Sequence, residues 1–348
     1  MYGVIDIGAN TIRLAIYNIN EQGDINEILN KKKVVGLARY IENEIMLEKG
    51  IDRAVDTLIE LKRIADKNNA ELTVFATAPF RNINNLREVL GRIKQETDIS
   101  VTVLSGEQEA FYDYVAATYN KDISDGVIVD IGGGSTELIF VHEGDIEKAV
   151  SIPIGSLNTY TKYISDIFPS VEELKKIKKI ITKQLDKIKL EKMDYKVAYG
   201  IGGTIRGAMK LHRDMYNIKG QEKELTLKNL KKMLKSYDDD SKAFISEIID
   251  VIPDRVHTLI PGMIILRTIM KYYNSEKIIL SDYGIREGFV IGNIINSKLD
   301  SETERELEEV VEESRGEALE ELDEITEEKI IKKQSIDIDE LMDYQERK

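Results

Sequence analysis

The sequence predicts an α/β protein of two related domains with a cleft between them, followed by an acidic, partly helical or disordered C-terminal tail. Its 348 residues suffice for two cores, because a single hydrophobic core stops growing near about 250 to 300 residues. Residues 4–16 (VIDIGANTIRLAI) and 126–141 (GVIVDIGGGSTELIFV) share one pattern of apolar strand, aspartate, glycine turn and second apolar strand. Such a repeat indicates a duplicated domain. The composition then changes at about residue 300.

The first half begins with the earlier of these two hairpins. Asp6 ends its first strand and Arg13 lies on its second. Residues 25–36 are expected to form a third strand, residues 52–70 an amphipathic helix and residues 71–77 another strand. Strands and helices therefore alternate as in an α/β domain.

The segment ATAPFRNINN follows that strand. Pro79 ends the strand and places Arg81 at its exit. The planar guanidinium of arginine suits bidentate contact with phosphate. A single arginine in a loop is more often a solvated surface charge, so this segment alone leaves the role of Arg81 open.

A helix ending near Thr97 and a strand at residues 99–104 are predicted next. The segment LSGEQEAFYDYVAATY then turns from strand into helix at Gly106, which places Glu109 in or near the first helical turn. An acidic residue there is either a partner of the helix dipole or a general base that orients water toward phosphorus. These residues leave both roles open.

The hairpin at residues 126–141 carries the clearest chemical pattern. Asp130 ends a buried strand, three glycines form the turn, and Glu137 follows on the second strand. Glycines can adopt positive φ and let an anion approach their N–H groups, and carboxylates beside phosphate imply a Mg²⁺ between the like charges. The lysine of a P-loop and the helix of a dinucleotide fingerprint are both missing after the glycines. A hairpin without a ligand is the remaining alternative.

The second half continues with helices and short strands. Ser170 and Glu173 form a capping box for a lysine-rich helix, whose face is either a solubilising surface or an electrostatic track for a polyanion. A strand at residues 196–201 leads into GGT at residues 202–204, where the N-terminus of a helix offers N–H groups to an anion. The remaining predicted elements are helices at residues 226–236, 239–251 and 255–273, a strand at residues 276–280 and a closing helix to about residue 296.

Composition excludes several classes of protein. The chain has no cysteine, no tryptophan and no long apolar run, which argues against a disulfide scaffold and a membrane span. Met1 leads directly into the first strand, so no signal peptide fits and a soluble cytoplasmic protein is expected. His142, His212 and His257 are scattered, which argues against a histidine metal cluster.

The acidity of the chain is concentrated in its tail. Of the formal charge of −14, residues 301–348 carry −12, from 19 acidic and 7 basic residues, which leaves −2 for the rest. Our hypothesis is that an acidic helix in this tail packs on the lysine-rich surface or on a second subunit, as a mimic of a polyanion. Apolar residues recur there at helical spacing, at Leu307, Val310, Val311, Ala318, Leu322 and Ile325.

Seven motifs occur in a characteristic order: DIGANTIRL, ATAPFRNINN, LSGEQEA, DIGGGSTEL, GIGGT, PDRVHTLIPG and SDYGIREG. Through them, residues 2–296 resemble the exopolyphosphatase/guanosine pentaphosphate phosphohydrolase family of the actin, Hsp70 and sugar-kinase superfold. The resemblance implies two ribonuclease-H-like, actin-like domains. The first would cover residues 1–120, with residues 282–299 returning to it, and the second residues 121–281. Residues 300–348 would be the tail.

The resemblance implies hydrolytic removal of the terminal phosphate of inorganic polyphosphate or guanosine pentaphosphate. Glu109 would be the general base and Arg81 would offset developing charge. Asp130, Glu137 and Asp6 would hold Mg²⁺. The phosphoryl oxygens would be bound by Gly8, Asn10, Thr11, Arg13, Gly132, Gly133, Gly134, Ser135, Gly202, Gly203 and Thr204.

The sequence departs from the family pattern at some positions. Pro79 and Ile83 stand where alanine is usual, Gln108 where glutamate is frequent, and His257 where aspartate is common. A monovalent cation such as K⁺ and a homodimer are left open, whereas no membrane and no sequence-specific nucleic acid is expected as a partner. Two other functions share the pattern: a non-catalytic regulator that binds (p)ppGpp or polyphosphate, and an ATP-dependent phosphotransferase.

Overall fold

The computed structural model describes residues 1–20, 24–190 and 194–295. The strands are β1 (Tyr2–Ile7), β2 (Thr11–Ile19), β3 (Ile25–Val34), β4 (Ile41–Glu42), β5 (Ile45–Met46), β6 (Glu71–Ala76), β7 (Val101–Val103), β8 (Gly126–Ile131), β9 (Thr136–His142), β10 (Asp145–Ile152), β11 (Val197–Ile201), β12 (Glu224–Thr226) and β13 (Lys277–Leu280). The helices are α1 (Glu48–Lys67), α2 (Ala78–Arg81), α3 (Leu86–Thr97), α4 (Gly106–Thr118), α5 (Ser156–Tyr163), α6 (Val171–Leu185), α7 (Gly202–Met215), α8 (Leu227–Asp239), α9 (Ser241–Val251), α10 (Leu259–Tyr272) and α11 (Ile285–Val290).

Two large sheets form the framework of this part of the chain. The first has the strand order β3-β2-β1-β6-β7 and the second β10-β9-β8-β11-β13-β12. In both sheets the first three strands pair antiparallel, and the next two join in parallel. The shared topology supports the duplication inferred from the two glycine turns.

The two hairpins also repeat one register. Asp6 faces Arg13 across β1 and β2, and Asp130 faces Glu137 across β8 and β9. In each half, an aspartate therefore lies near the carboxyl end of a central strand, just before the glycine turn. Only the residue opposite differs, being basic in the first half and acidic in the second.

Each sheet has its own apolar core. In the first, Leu58 of α1 and Val89 of α3 pack on strand residues such as Ile5. In the second, Ile181 of α6 and Ile265 of α10 belong to the core that the second sheet shares with α7 and α8. Burial of these side chains is the main force that fixes the two halves.

Helix α4 lies between the two sheets. Val115 belongs to an apolar cluster with the first sheet and Ala116 to a cluster with the second. Helix α11 packs directly on α4 at Gly288, where an added Cβ would stand 1.9 Å from the Tyr112 carbonyl oxygen. The helix that carries Glu109 is thus held by neighbours from both halves of the chain.

Some element boundaries differ from the sequence-based expectations. Pro79 lies inside the short helix α2, because proline is tolerated in a first helical turn. The helix predicted at residues 255–273 begins at Leu259, since Pro253–Arg255 forms a separate 3₁₀ turn. The closing helix ends at Val290 and continues as a π-helical turn.

The capping box predicted for α6 is confirmed, because Ser170 Oγ accepts from the Glu173 N–H and the Glu173 carboxylate accepts from Ser170 N–H. The described residues cluster as one compact unit, and the division into domains at residues 120 and 281 stays a prediction. The tail at residues 300–348, with its hypothesised packing, lies outside the described residues. No helix in the described part of the chain is both long and apolar enough to cross a membrane.

Candidate active site

A cavity of about 150 Å³ lies where the two glycine turns meet. An added Cβ on Gly133 would stand 3.1 Å from the Cβ of Ala9, so the second turn is in contact with the first. All of the residues predicted for the site line this cavity, except Arg81 and Thr204. The structure therefore brings the two halves of the predicted site together.

The two turns are built by the same hydrogen bond. In the first, the Gly8 N–H donates to the Thr11 carbonyl oxygen (2.9 Å), and in the second the Gly132 N–H donates to the Ser135 carbonyl oxygen (3.0 Å). Residues 132–134 do not use the positive φ that glycine permits. Among the described glycines, positive φ occurs elsewhere, at Gly36, Gly144, Gly202 and Gly220.

Close packing is the actual reason for glycine in the second turn. An added Cβ on Gly134 would stand 2.9 Å from the Cβ of Ala78. One on Gly155, which precedes α5, would stand 2.4 Å from the carbonyl carbon of Gly133. The turn thus lies between the backbone of one neighbour and the side chain of another, with no room for a Cβ.

Glu109 is buried in the cavity wall and forms an ion pair with Arg81. The same guanidinium donates to the Leu104 carbonyl oxygen (3.2 Å) and lies 4.0 Å from Glu137. Burial raises the pKa of Glu109 well above its usual range, the Glu137 carboxylate raises it further, and Arg81 lowers it. Arg81 does not line the cavity, so its influence on the cavity runs through the ion pair with Glu109.

Asp130 and Glu137 form a pair of buried carboxylates. Burial raises the pKa of Asp130 to about 7, and Glu137 adds to the rise. Burial also raises the pKa of Glu137, although the Ser151 hydroxyl, which donates to Glu137 Oε1 (2.8 Å), lowers it. Two buried carboxylates that repel each other gain stability from a shared cation.

This donor set fits Mg²⁺. The ion prefers oxygen ligands, keeps several waters, and is usually bound by one or two carboxylates together with substrate phosphates. Within the described residues, no group of three or more Asp, Glu, His or Cys side chains could hold a metal ion by itself. Asp130 and Glu137 would supply one or two ligands, and water and substrate oxygens would supply the others.

Four arginines line the same cavity: Arg13, Arg206, Arg255 and Arg286. Arg255 packs against Gly203, where an added Cβ would stand 1.8 Å from the guanidinium. Burial lowers the pKa of Arg13 to about 10, and the Arg286 charge adds to the fall. All four still carry their charge at neutral pH, so the cavity presents a cluster of cations to an anion.

Helix α11 is tied to the first sheet by polar contacts. Arg286 Nη1 pairs with Asp6 Oδ2 (3.2 Å), and Tyr17 donates a hydrogen bond to the Glu287 carboxylate. Both contacts join α11 to strands β1 and β2 of the first sheet. Asp6, predicted as a metal ligand, is held here by an arginine.

Sequence reasoning did not assign several polar residues of the cavity to the site, among them Asp113, Arg206, Arg255, Thr258 and Arg286. Both carboxyl oxygens of Asp113 and the hydroxyl of Thr258 are buried without a hydrogen-bond partner. Asp113 follows Glu109 by four residues, and that spacing would have placed it on the same helix face. Arg255, Thr258 and Arg286 lie in the motifs PDRVHTLIPG and SDYGIREG, whereas Arg206 lies in none of the seven motifs.

Several other predicted residues have structural roles. Thr204 Oγ1 donates to the Ile131 carbonyl oxygen (2.9 Å), which ties α7 to β8. Gln108 completes a capping box at the start of α4, since its Oε1 accepts from the Ser105 N–H (2.9 Å). The ring of His257 stacks on Tyr160, with centroids 5.1 Å apart.

Comparison with known proteins gives this site its context. The family model described as Ppx/GppA phosphatase family matches residues 15–297. The chain belongs to this family. Membership assigns the chain to the phosphatases and confirms the resemblance drawn from its motifs.

Solved Ppx/GppA structures confirm the actin-like fold. The Aquifex aeolicus family member is 27% identical, with a TM-score of 0.70, over 85% of this chain and 98% of that chain. Exopolyphosphatase 1 of Mycobacterium tuberculosis is 25% identical over 87% of this chain and 89% of that protein. The bifunctional 3-dehydroquinate synthase/phosphatase of Fusobacterium nucleatum is 28% identical over 84% of this chain, which spans 46% of that protein.

Proposed function

We propose that this protein is a phosphoanhydride hydrolase that releases terminal orthophosphate from inorganic polyphosphate. The observation that carries the proposal is the buried Glu109, paired with Arg81, in the wall of a cavity formed by two facing glycine turns. The name of the mycobacterial relative, exopolyphosphatase, supports this substrate. Guanosine pentaphosphate ends in the same kind of bond and is the second substrate to test.

The groups that line the cavity are suited to bind the end of a polyanion. Backbone N–H groups of the two turns and of the α7 N-terminus would bind the oxygens of the terminal phosphoryl group. Arg13, Arg206 and Arg255 would bind the phosphates that follow it. Mg²⁺ held by Asp130 and Glu137 would neutralise charge on the phosphoryl oxygens.

Glu109 would act as the general base. It would accept a proton from a water whose oxygen attacks the terminal phosphorus, while the bond from phosphorus to the bridging oxygen breaks. The shortened chain leaves with the electrons of that bond. Because only the ionised carboxylate accepts the proton, the Arg81 charge, which lowers the pKa of Glu109, favours its working form.

Glu109→Gln tests the proposal. The substitution keeps the size of the side chain but removes the proton acceptor, so kcat for phosphate release should fall by about 10² to 10⁴-fold, the usual contribution of a positioned base. The KM for long polyphosphate should change little. Phosphate release with Mg²⁺ is measured from long polyphosphate, tripolyphosphate, guanosine pentaphosphate and ATP.

Glu107→Gln is the matched control, because Glu107 lies on the same helix turn but does not line the cavity. It should leave kcat unchanged. A fall of less than about tenfold in Glu109→Gln would remove Glu109 from the role of base. Binding of polyphosphate or (p)ppGpp without turnover would favour a regulator, and transfer from ATP to an acceptor would favour a phosphotransferase.

A further inference from the structure

Asp113 is a buried carboxylate that the mechanism above does not use. It lies one helical turn beyond Glu109 on α4, is 1% exposed, and lines the cavity. Neither of its carboxyl oxygens has a hydrogen-bond partner. A buried carboxylate without a partner lowers stability, so this position demands an explanation.

Other carboxylates of the cavity have partners. Glu109 has Arg81, Asp6 has Arg286, and Glu137 accepts from the Ser151 hydroxyl. Such partners stabilise the charged form of each of these groups.

The charged neighbours with the largest influence on the pKa of Asp113 are acidic. Burial raises the pKa of Asp113 well above its usual range, and the charges of Asp130, Glu137, Glu109 and Asp6 raise it further. Within the folded protein this carboxylate therefore meets repulsion. The four arginines of the cavity donate no hydrogen bond to it, since both of its carboxyl oxygens lack a partner, so we look to a bound cation for the opposite charge.

We propose that Asp113 is a further ligand of the divalent cation, which it reaches through the waters bound to that cation, and that it allows the cation to bind before the phosphate chain arrives. This inference rests on the proposed function, in which the cation is held by Asp130 and Glu137. Mg²⁺ keeps several waters when it binds to proteins. Those waters would donate the hydrogen bonds that the oxygens of Asp113 lack.

Contact through water agrees with the geometry of the site. The described side chains contain no group of three that could ligate one ion directly, so the third carboxylate belongs outside the inner set of ligands. Its position is well fixed, since α4 begins with a capping box and packs on the α11 backbone at the preceding residue, Tyr112. A carboxylate held in this way orients the waters of the cation without contact with the cation itself.

The test is the binding of Mn²⁺, as a probe for Mg²⁺, to the full-length protein without phosphate substrate. Asp113→Asn and Asp113→Ala are compared with wild type by electron paramagnetic resonance and calorimetry. We expect the dissociation constant to rise by about 10 to 100-fold in both variants, the usual effect of removing an outer ligand. Glu107→Gln is the control and should bind Mn²⁺ as wild type does.

Thermal unfolding separates this role from simple packing. Without cation, Asp113→Asn should unfold at a higher temperature than wild type, because an unpaired buried carboxylate is gone. Added cation should raise the unfolding temperature of wild type more than that of the variant. A variant that unfolds earlier at every cation concentration would indicate a packing role and overturn the inference.

Mn²⁺ affinity equal to wild type in both variants would also overturn it, as would the absence of binding to substrate-free wild type. Phosphate release by the wild-type protein, measured in parallel, decides the proposed function separately. If the wild-type protein releases no phosphate but binds Mn²⁺ in a way that depends on Asp113, the proposed reaction is refuted and the role of Asp113 as a ligand is retained.

Discussion

Replacement of Arg81 by methionine tests whether Arg81 favours the ionised form of Glu109, the proposed general base. Arg81 forms an ion pair with Glu109, and its other terminal nitrogen lies 4.0 Å from Glu137 Oε1. Methionine fills a similar volume without charge. In this variant, burial and repulsion from Glu137 would still raise the pKa of Glu109, while the Arg81 charge that lowers this pKa would be absent.

The size of the effect follows from the distances. Two unit charges about 4 Å apart interact by about 4 kcal/mol at an effective dielectric constant of about 20. The Arg81 side chain is 17% exposed, so water screens part of this interaction. We therefore expect the pKa of Glu109 to rise further in Arg81→Met, by less than the unscreened charge pair would give.

The assay is the pH dependence of kcat/KM for polyphosphate. Since the base must be ionised, activity is lost as pH falls through the pKa of Glu109, and a raised pKa moves this acid limb to higher pH. Arg81→Met should lose most activity at neutral pH and recover part of it in alkaline buffer. Arg81→Lys, which keeps the charge, should retain an acid limb near that of wild type.

Arg87→Met is the control, because Arg87 is exposed on α3. A loss of activity in Arg81→Met that is equal at every pH would refute the reasoning. It would mean that Arg81 acts on the phosphoryl group and has no influence on the ionisation of Glu109.

Three further predictions concern the glycine turn, the arginines and the cation. Gly155→Ala should destabilise the protein by about 1 to 3 kcal/mol in urea unfolding, because the new Cβ would meet the Gly133 backbone. The control is Gly91→Ala, which has open space at its Cβ and should stabilise the protein by about 0.5 to 1 kcal/mol. Arg206→Met should raise the KM for long polyphosphate more than it lowers kcat, and should weaken the dependence of KM on salt, since one buried cation is lost. Chelation should abolish phosphate release. Because protons compete for Asp130, whose pKa is about 7, the Mg²⁺ concentration for half-maximal activity should fall as pH rises through neutrality; a value independent of pH would count against Asp130 as a ligand.

The fold was predictable because its signals are local. Each glycine turn is recognisable from an aspartate at the end of an apolar strand. The spacing from Asp6 to Arg13 equals that from Asp130 to Glu137, and this equal spacing predicts the strand register that the two hairpins share. The capping box at Ser170 is equally local. Contacts within a hairpin or a helix turn depend on residues close in sequence, so a single sequence suffices to find them.

The parts of the site that were missed or misread depend on distant residues. Glycine is needed at position 134 because of Ala78, and at position 155 because of the Gly133 backbone, and no local pattern reveals either contact. Arg206 and Thr258 reach the cavity only because α7 and the segment before α10 pack beside β8. Asp113 is the exception, since helical spacing from Glu109 would have identified it.

The position of α11 has a consequence for how this protein is made. Phe289 and Val290 belong to the apolar cluster that covers one face of the first sheet, and the hydrogen-bonded Tyr17 and Glu287 are separated by 270 positions in the chain. At about 5 to 20 residues per second, a ribosome needs tens of seconds to supply this partner. Until then part of that face stays exposed to solvent, because α4 supplies only some of the residues that cover it, and exposed apolar surface favours aggregation of the unfinished chain.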